Sequence, residues 1–288
     1  MKSERFTTAM FAGAVVALGL SCGSALAATL NGDAKKMGEG TARTYVETDA
    51  AGNPTAIGIL LTEGALNGLP PLKNPTSRCF DLDKNGKVDG ARECEGDLET
   101  QLDMPAAVVK RGDIPFRWVG INWNAEGHPP APWSVPHFDF HFYIADHNEI
   151  AMIRIGGCTF FINCDDLKLA LQPVPAEFVA ADHVNVKAAV SQMGNHLIDV
   201  RTPELANPPK RGFTHSWIYG ANKGRIIFYE PMITLSYLLS HPQGCTAIRQ
   251  PKAWQRAGYY PTEYCIRYLR DRRAYTISLE GLVKRAAQ

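Results

Sequence analysis

Residues 135–144 read Val-Pro-His-Phe-Asp-Phe-His-Phe-Tyr-Ile. Side chains alternate across an extended strand, so His137, Asp139, His141 and Tyr143 share one face, and Phe138, Phe140, Phe142 and Ile144 the other. A solvent-facing polar edge rarely needs two imidazoles and a carboxylate in a row, and the aromatic face opposite implies a deeply placed strand. Imidazoles two pleats apart start about 7 Å apart at the backbone, close enough for their side chains to converge on one ion. The pattern therefore points to a divalent metal site or to acid/base chemistry.

A third ligand must come from elsewhere in the chain. Met193-Gly194-Asn195-His196 offers it: Gly194 permits a tight backbone approach, His196 enters the site, and Asp199 is a candidate to orient an imidazole. Asp139 is either a direct ligand or a general base, and Glu230, closing a strand just before Pro231, is a further candidate for either role. His128, in the preceding Gly127-His128-Pro129-Pro130 loop, is expected over the pocket mouth. The metal set is thus His137, Asp139, His141 and His196, with zinc the first choice; iron, copper and nickel accept the same ligands. The competing reading is a hydrogen-bonded polar network with no ion. His147, His183, His215 and His241 stand alone and read as surface or loop histidines, and Met193 and Met232 read as core.

A second ion site of another kind is written into residues 81–93. Asp81, Asp83, Asn85 and Asp89 occupy positions 1, 3, 5 and 9 of an EF-hand-like calcium loop; Gly86 takes the sharp turn and Lys87 would give its carbonyl. Position 12 is Arg92, and the acidic Glu93 comes one step late, so a weak, calcium-stabilised loop is expected rather than a conformational sensor. Cys79 and Cys94 frame it, so that residues 76–97 read as a disulfide-framed insertion.

The first 27 residues read as a secretory signal: Lys2 and Arg5, an apolar run from Ala9 to Leu20, then small residues at Ala25 and Ala27 before cleavage. A lipoprotein anchor at Cys22 is disfavoured, because Gly19 stands where a leucine is usual. Export to a periplasmic or extracellular compartment fits the cysteines. Without Cys22 six of the seven remain, and the simplest of their fifteen pairings is local: Cys79 with Cys94, Cys158 with Cys164, Cys245 with Cys265.

The chain has 288 residues, 45% hydrophobic and 20% charged, which excludes disorder and a polytopic membrane protein; no second apolar run could span a membrane. A formal net charge of +1 gives no general attraction for nucleic acid. Gly-x-Ser-x-Gly, P-loop and dinucleotide motifs are absent, removing support for common serine hydrolases, P-loop enzymes and nucleotide dehydrogenases. Strand patterns at residues 41–47, 56–61, 116–123, 137–144, 213–219, 225–229 and 264–269, with a return through 274–283, predict an α+β protein. It is predominantly antiparallel β, barrel- or sandwich-like, with few short helices and one domain over residues 28–288. Residues 232–240 read as a short buried helix.

Four stretches in order, Asn122–Pro130, Pro136–Tyr143, Met193–His196 and Glu230–Thr234, resemble a little-characterised group of bacterial extracytoplasmic domains that includes a Thermus member. The resemblance runs from Gly38 to Leu282 and implies a shared fold and a shared pocket, but no particular reaction. The functional expectation is an exported metal-binding domain, with hydrolytic or lyase chemistry on an unidentified small molecule if it is an enzyme. The alternative is a non-catalytic structural, stress or ligand-binding protein with a calcium-stabilised loop. Self-association is open to either.

Overall fold

The computed structural model describes residues 27–69, 86, 99–155, 166–207 and 209–288. The chain opens with β1 (Ala28–Asn31), β2 (Lys35–Met37), β3 (Gly40–Thr48) and β4 (Pro54–Thr62). The turn between β3 and β4 follows from its sequence: Asp49 Oδ1 accepts from the backbone N–H groups of Ala51 and Asn53, and Gly52 takes a positive φ of 82°.

Seven strands then follow without leaving their own sheet: β5 (Glu99–Asp103), β6 (Trp118–Asn124), β7 (His137–Tyr143), β8 (His183–Val190), β9 (Gly194–Asp199), β10 (His215–Asn222) and β11 (Arg225–Thr234). The chain closes with β12 (Gln243–Ala247), β13 (Gly258–Tyr260), β14 (Glu263–Leu269), β15 (Ala274–Glu280) and β16 (Val283–Arg285). Short helices α1 (Ala106–Arg111), α2 (His147–Ala151), α3 (Leu167–Ala170) and α4 (Leu235–Leu239) fill the connections.

The strands form two seven-stranded antiparallel sheets. One runs β1-β3-β4-β15-β14-β12, with β2 added on β3; the other runs β5-β6-β7-β11-β10-β9-β8, and β13 pairs apart with β16. Ile57, Ile59, Leu61, Ile277 and Leu279 of the first sheet and Val119, Ile121, Phe138, Phe140 and Phe142 of the second belong to one buried cluster. Each such side chain contributes roughly 1.5–3 kcal/mol by leaving water. The architecture is therefore sandwich-like; the described strands do not close into a barrel, because both sheets end in strands with a single neighbour.

Residues 232–234 depart from expectation. They extend β11, and only Leu235–Leu239 turn helical, capped by the Thr234 hydroxyl, which accepts from the Tyr237 N–H. Pairing with β7 and β10 on both sides holds Met232 and Ile233 in the sheet. An all-apolar run gives no period by which to tell a buried strand from a buried helix. Among the described residues no helix is long and apolar enough to cross a membrane. The signal segment before residue 27, the calcium-type loop apart from Gly86, and Cys79, Cys94, Cys158 and Cys164 lie outside the described residues.

Candidate metal centres

The alternation in β7 divides its side chains as its pattern requires. Phe138, Phe140 and Phe142 enter the core between the sheets, while His137, Asp139, His141 and Tyr143 face the other way. That outer face is nonetheless covered. Ile150, Ile153 and Ala170 pack over Trp118, Tyr143 and Phe228 at one end, and Trp133 and Phe213 pack with Ile198, Ile218 and Met232 at the other. His137 and His141 are fully buried between these apolar groups.

Neighbouring strands complete the face. In β6, Asn122 pairs with Asp139 and Asn124 with His137. On the other side β11 supplies Glu230, at an irregular point in the ladder: pairing with β7 holds at Tyr229↔Phe142, resumes at Met232↔Asp139, and is missing at Glu230 and Pro231. Proline has no N–H to give, so the ladder breaks beside His141. Glu230 lies within β11 rather than at its end, since the strand continues to Thr234. Gly194 begins β9 at φ 102°, where a Cβ would stand 2.7 Å from the Ala221 carbonyl oxygen, and the close approach brings in His196.

The side chains collect into two groups rather than one. His141 Nε2 lies 3.6 Å from Glu230 Oε1 and His196 Nε2 lies 3.9 Å from Glu230 Oε2. Separately, His137 Nε2 lies 3.2 Å from Asp139 Oδ1, and His128 Nε2 lies 3.5 Å from Asp139 Oδ2. Ligands about 2.1 Å from a tetrahedral ion stand about 3.4 Å from one another, so both groups have the spacing of a coordination shell. Each could hold a metal ion.

Hydrogen bonds on the far side of the rings set their tautomers. The Nδ1 atoms of His137, His196 and His128 lie 2.7, 2.9 and 2.8 Å from the backbone oxygens of Val135, Ala188 and Pro129. A carbonyl only accepts, so Nδ1 carries the hydrogen in each neutral ring and the Nε2 lone pair faces the carboxylate. This is how a ligating imidazole is usually oriented. Asn124 Nδ2 donates to Asp139 Oδ2 at 2.7 Å. Other buried polar atoms remain without hydrogen-bond partners: His141 Nε2, Glu230 Oε2, His137 Nε2 and Asp139 Oδ1. The last two are close without satisfying each other as donor and acceptor. A cation between the nitrogens and the carboxylates satisfies all of these.

The two carboxyls sit in opposite electrostatic states. Burial, reinforced by the charge of Asp139, pushes Glu230 well above the usual carboxylate range. Burial also works against the charge on Asp139, but without a metal the positive charge of His137 and His128 in their protonated forms outweighs it and holds that carboxyl well below the usual range. Burial lowers His141 to about 3, with the Asp139 charge offsetting only part of the effect, and it lowers His196 as well. Both rings are neutral at physiological pH, the form that binds metal.

The expected convergence of His137, His141 and His196 on one ion is not what the fold produces. His137 and Asp139 meet His128, whereas His141 and His196 meet Glu230. Asp199 does not orient His196: it lies opposite His183 in the β8–β9 pair and beside Arg249. Cys245 and Cys265 form the expected disulfide across β12 and β14, which removes their sulfurs as metal ligands despite the nearby Glu263 and Glu280. Met193 and Met232 are buried in the core. Of the isolated histidines, His147 stacks on Trp118 at a half-buried position and His241 on Tyr268 at an exposed one. His183 is instead buried and packs edge-on against Tyr219, and His215 bonds Tyr264 Oη at 2.7 Å. Both face the space between the sheets, a placement their isolated sequence positions do not signal.

No family model matches the chain, and no curated protein or solved structure matches it.

Proposed function

We propose that this chain is an exported metal-binding protein in which His141, His196 and Glu230 hold one divalent transition-metal ion, zinc being the first candidate. One observation carries the reading. His141 is fully buried, and its Nε2, without a hydrogen-bond partner, faces a buried carboxylate shared with a second oriented imidazole. A neutral polar network would leave these atoms unsatisfied at a cost of about 1–3 kcal/mol each. The four stretches Asn122–Pro130, Pro136–Tyr143, Met193–His196 and Glu230–Thr234 all bring residues to this face. Export is supported by the leader-like first 27 residues and the disulfide, and calcium binding by the acidic spacing of residues 81–93.

Two imidazoles and one carboxylate leave a coordination position open, and a bound ion would act there as a Lewis acid or lower the pKa of a water. The His128 group would then handle protons. His128 is 32% exposed while Asp139 and His137 behind it are buried, so His128 is the imidazole a substrate would meet and Asp139 the carboxylate that orients it. Hydrolysis or elimination on a small molecule is the chemistry this supports. A second, non-catalytic reading rests on the closure of the His141 group: the side chains of His141 and Glu230 are only 1% and 2% exposed, as in a structural ion site.

The test is elemental analysis of the secreted protein, disulfides intact, beside a His141→Ala/His196→Ala variant. About one transition-metal ion per chain, lost in the variant, supports the centre. Absence of such an ion from the folded wild-type protein sinks it. Exchange of the ion only under denaturing conditions favours the structural reading over the catalytic one.

A further inference from the structure

The open end of the sandwich holds a second constellation, apart from the metal face. A cavity of ≈ 200 Å³ lies where β8, β9 and β10 of one sheet meet β12 and β14 of the other. Its apolar wall is Trp217 and Tyr264, stacked with ring centroids 5.2 Å apart. The volume is below that of a pocket for a drug-sized ligand, so any occupant is small.

The charges around it resolve by pairing. Arg201 bonds Asp182 and approaches Asp199; Arg249 Nη1 bonds Asp182 Oδ2 at 2.8 Å and its Nε lies 3.5 Å from Asp199 Oδ2. These four neutralise one another. Arg211 and Glu204 remain in the lining, and among the described residues neither has an ion-pair partner within 4.0 Å. Glu204 is 1% exposed, with both carboxylate oxygens lacking hydrogen-bond partners, whereas Arg211 is exposed. Glu204 and Arg211 line the same cavity as the buried ring of Tyr264. Thr202 adds a buried hydroxyl with no partner in the same lining.

A buried carboxylate and a separate guanidinium, left over after every other charge has paired, ask for a ligand with the opposite charges at its two ends. We infer that this cavity binds a small zwitterion of the α-amino-acid class. Its carboxylate meets Arg211, its side chain lies along Trp217 and Tyr264, and its ammonium draws out the carboxylate of Glu204, which is buried just behind the cavity wall. The guanidinium fork suits a carboxylate, and charge-assisted hydrogen bonds to both ends are the strong kind. The inference is independent of the metal reading, because no residue of this cavity belongs to either histidine group.

The test uses the full secreted protein, with and without a chelator, and the twenty common L-amino acids at millimolar concentration as probes. Thermal-shift screening is followed by calorimetry on any that stabilise. At least one amino acid is expected to bind, with affinity unchanged by the chelator. Its binding should weaken roughly tenfold or more in Arg211→Ala, an exposed position that leaves the fold intact, and similarly in Glu204→Gln. The deaminated acid of the same side chain should bind at least tenfold more weakly than the amino acid. Failure of all twenty to bind, equal binding of the deaminated acid, or binding insensitive to Arg211→Ala would each overturn the inference.

Discussion

Gly220 of β10 lies directly beneath the ring of Phe228 in β11, and a Cβ at Gly220 would overlap that ring. Phe228 in turn stands edge-on to His141 and packs against His196, at centroid distances of 4.7 and 5.4 Å. A missing methyl group on one strand therefore sets where two imidazoles from two other strands can sit. Gly220→Ala is expected to displace Phe228 into the His141 group and to cost roughly 1–3 kcal/mol, as overpacking usually does. Metal content after dialysis reads the first effect and denaturant unfolding the second. A variant with unchanged stability and unchanged metal content would refute the linkage.

Glu230→Gln should act with opposite signs in the two states of the protein. In chelated protein the raised pKa means that the folded state resists ionising this carboxyl, so its stability contribution declines as pH rises above about 4.5, the ordinary glutamate range. Replacing it with the neutral isostere is expected to leave the chelated protein equally or more stable at neutral pH. In metal-loaded protein the same change removes an anionic ligand and should lower both metal retention and Tm. Paired melting curves with and without chelator read both signs.

Acid should destabilise the chelated protein well before its exposed carboxylates are protonated. Burial lowers His141 to about 3; burial, with the nearby Arg211 charge, lowers His215 to about 4. The unfolded chain thus takes up protons first, and the stability these neutral rings contribute is full above about pH 6.5 and is lost as pH falls towards the folded values. His215→Gln should flatten this dependence by on the order of 1 kcal/mol between neutral pH and about pH 4.5, allowing for its partial exposure. Urea midpoints at the two pH values provide the comparison; an unchanged slope would count against His215 as a contributor.

The Cys245–Cys265 disulfide closes a loop of sequence separation 20 across the β12–β14 pair. A loop of this size restricts the unfolded chain by about 3 kcal/mol in the chain-entropy account. Cys245→Ser/Cys265→Ser should lose stability of that order. The metal face lies on the other sheet, so metal content should be preserved. Denaturation and elemental analysis of the same preparation separate the two effects.

What the sequence determined by itself was local. The period-two alternation of residues 137–144 put the imidazoles and Asp139 on one face and the phenylalanines on the other, because pleating forces that division on any strand. The turn at Asp49–Asn53 follows equally from its residue types, since Asp49 carries the needed hydrogen bonds and Gly52 the positive φ. Only the tertiary structure decided which of the face residues act together. Sheet order puts β11 beside β7, although more than eighty residues separate His141 from Glu230, and the ladder break at Pro231 falls beside His141. The close approach at Gly194 delivers His196 to the same place, while the loop before β7 gives His128 to Asp139. The cavity at Glu204 and Arg211 left no local trace either. Its unpaired charges become visible only after folding has paired Arg201 and Arg249 with carboxylates from β9 and from the turn before β8, and no local pattern encodes which charges will be left over.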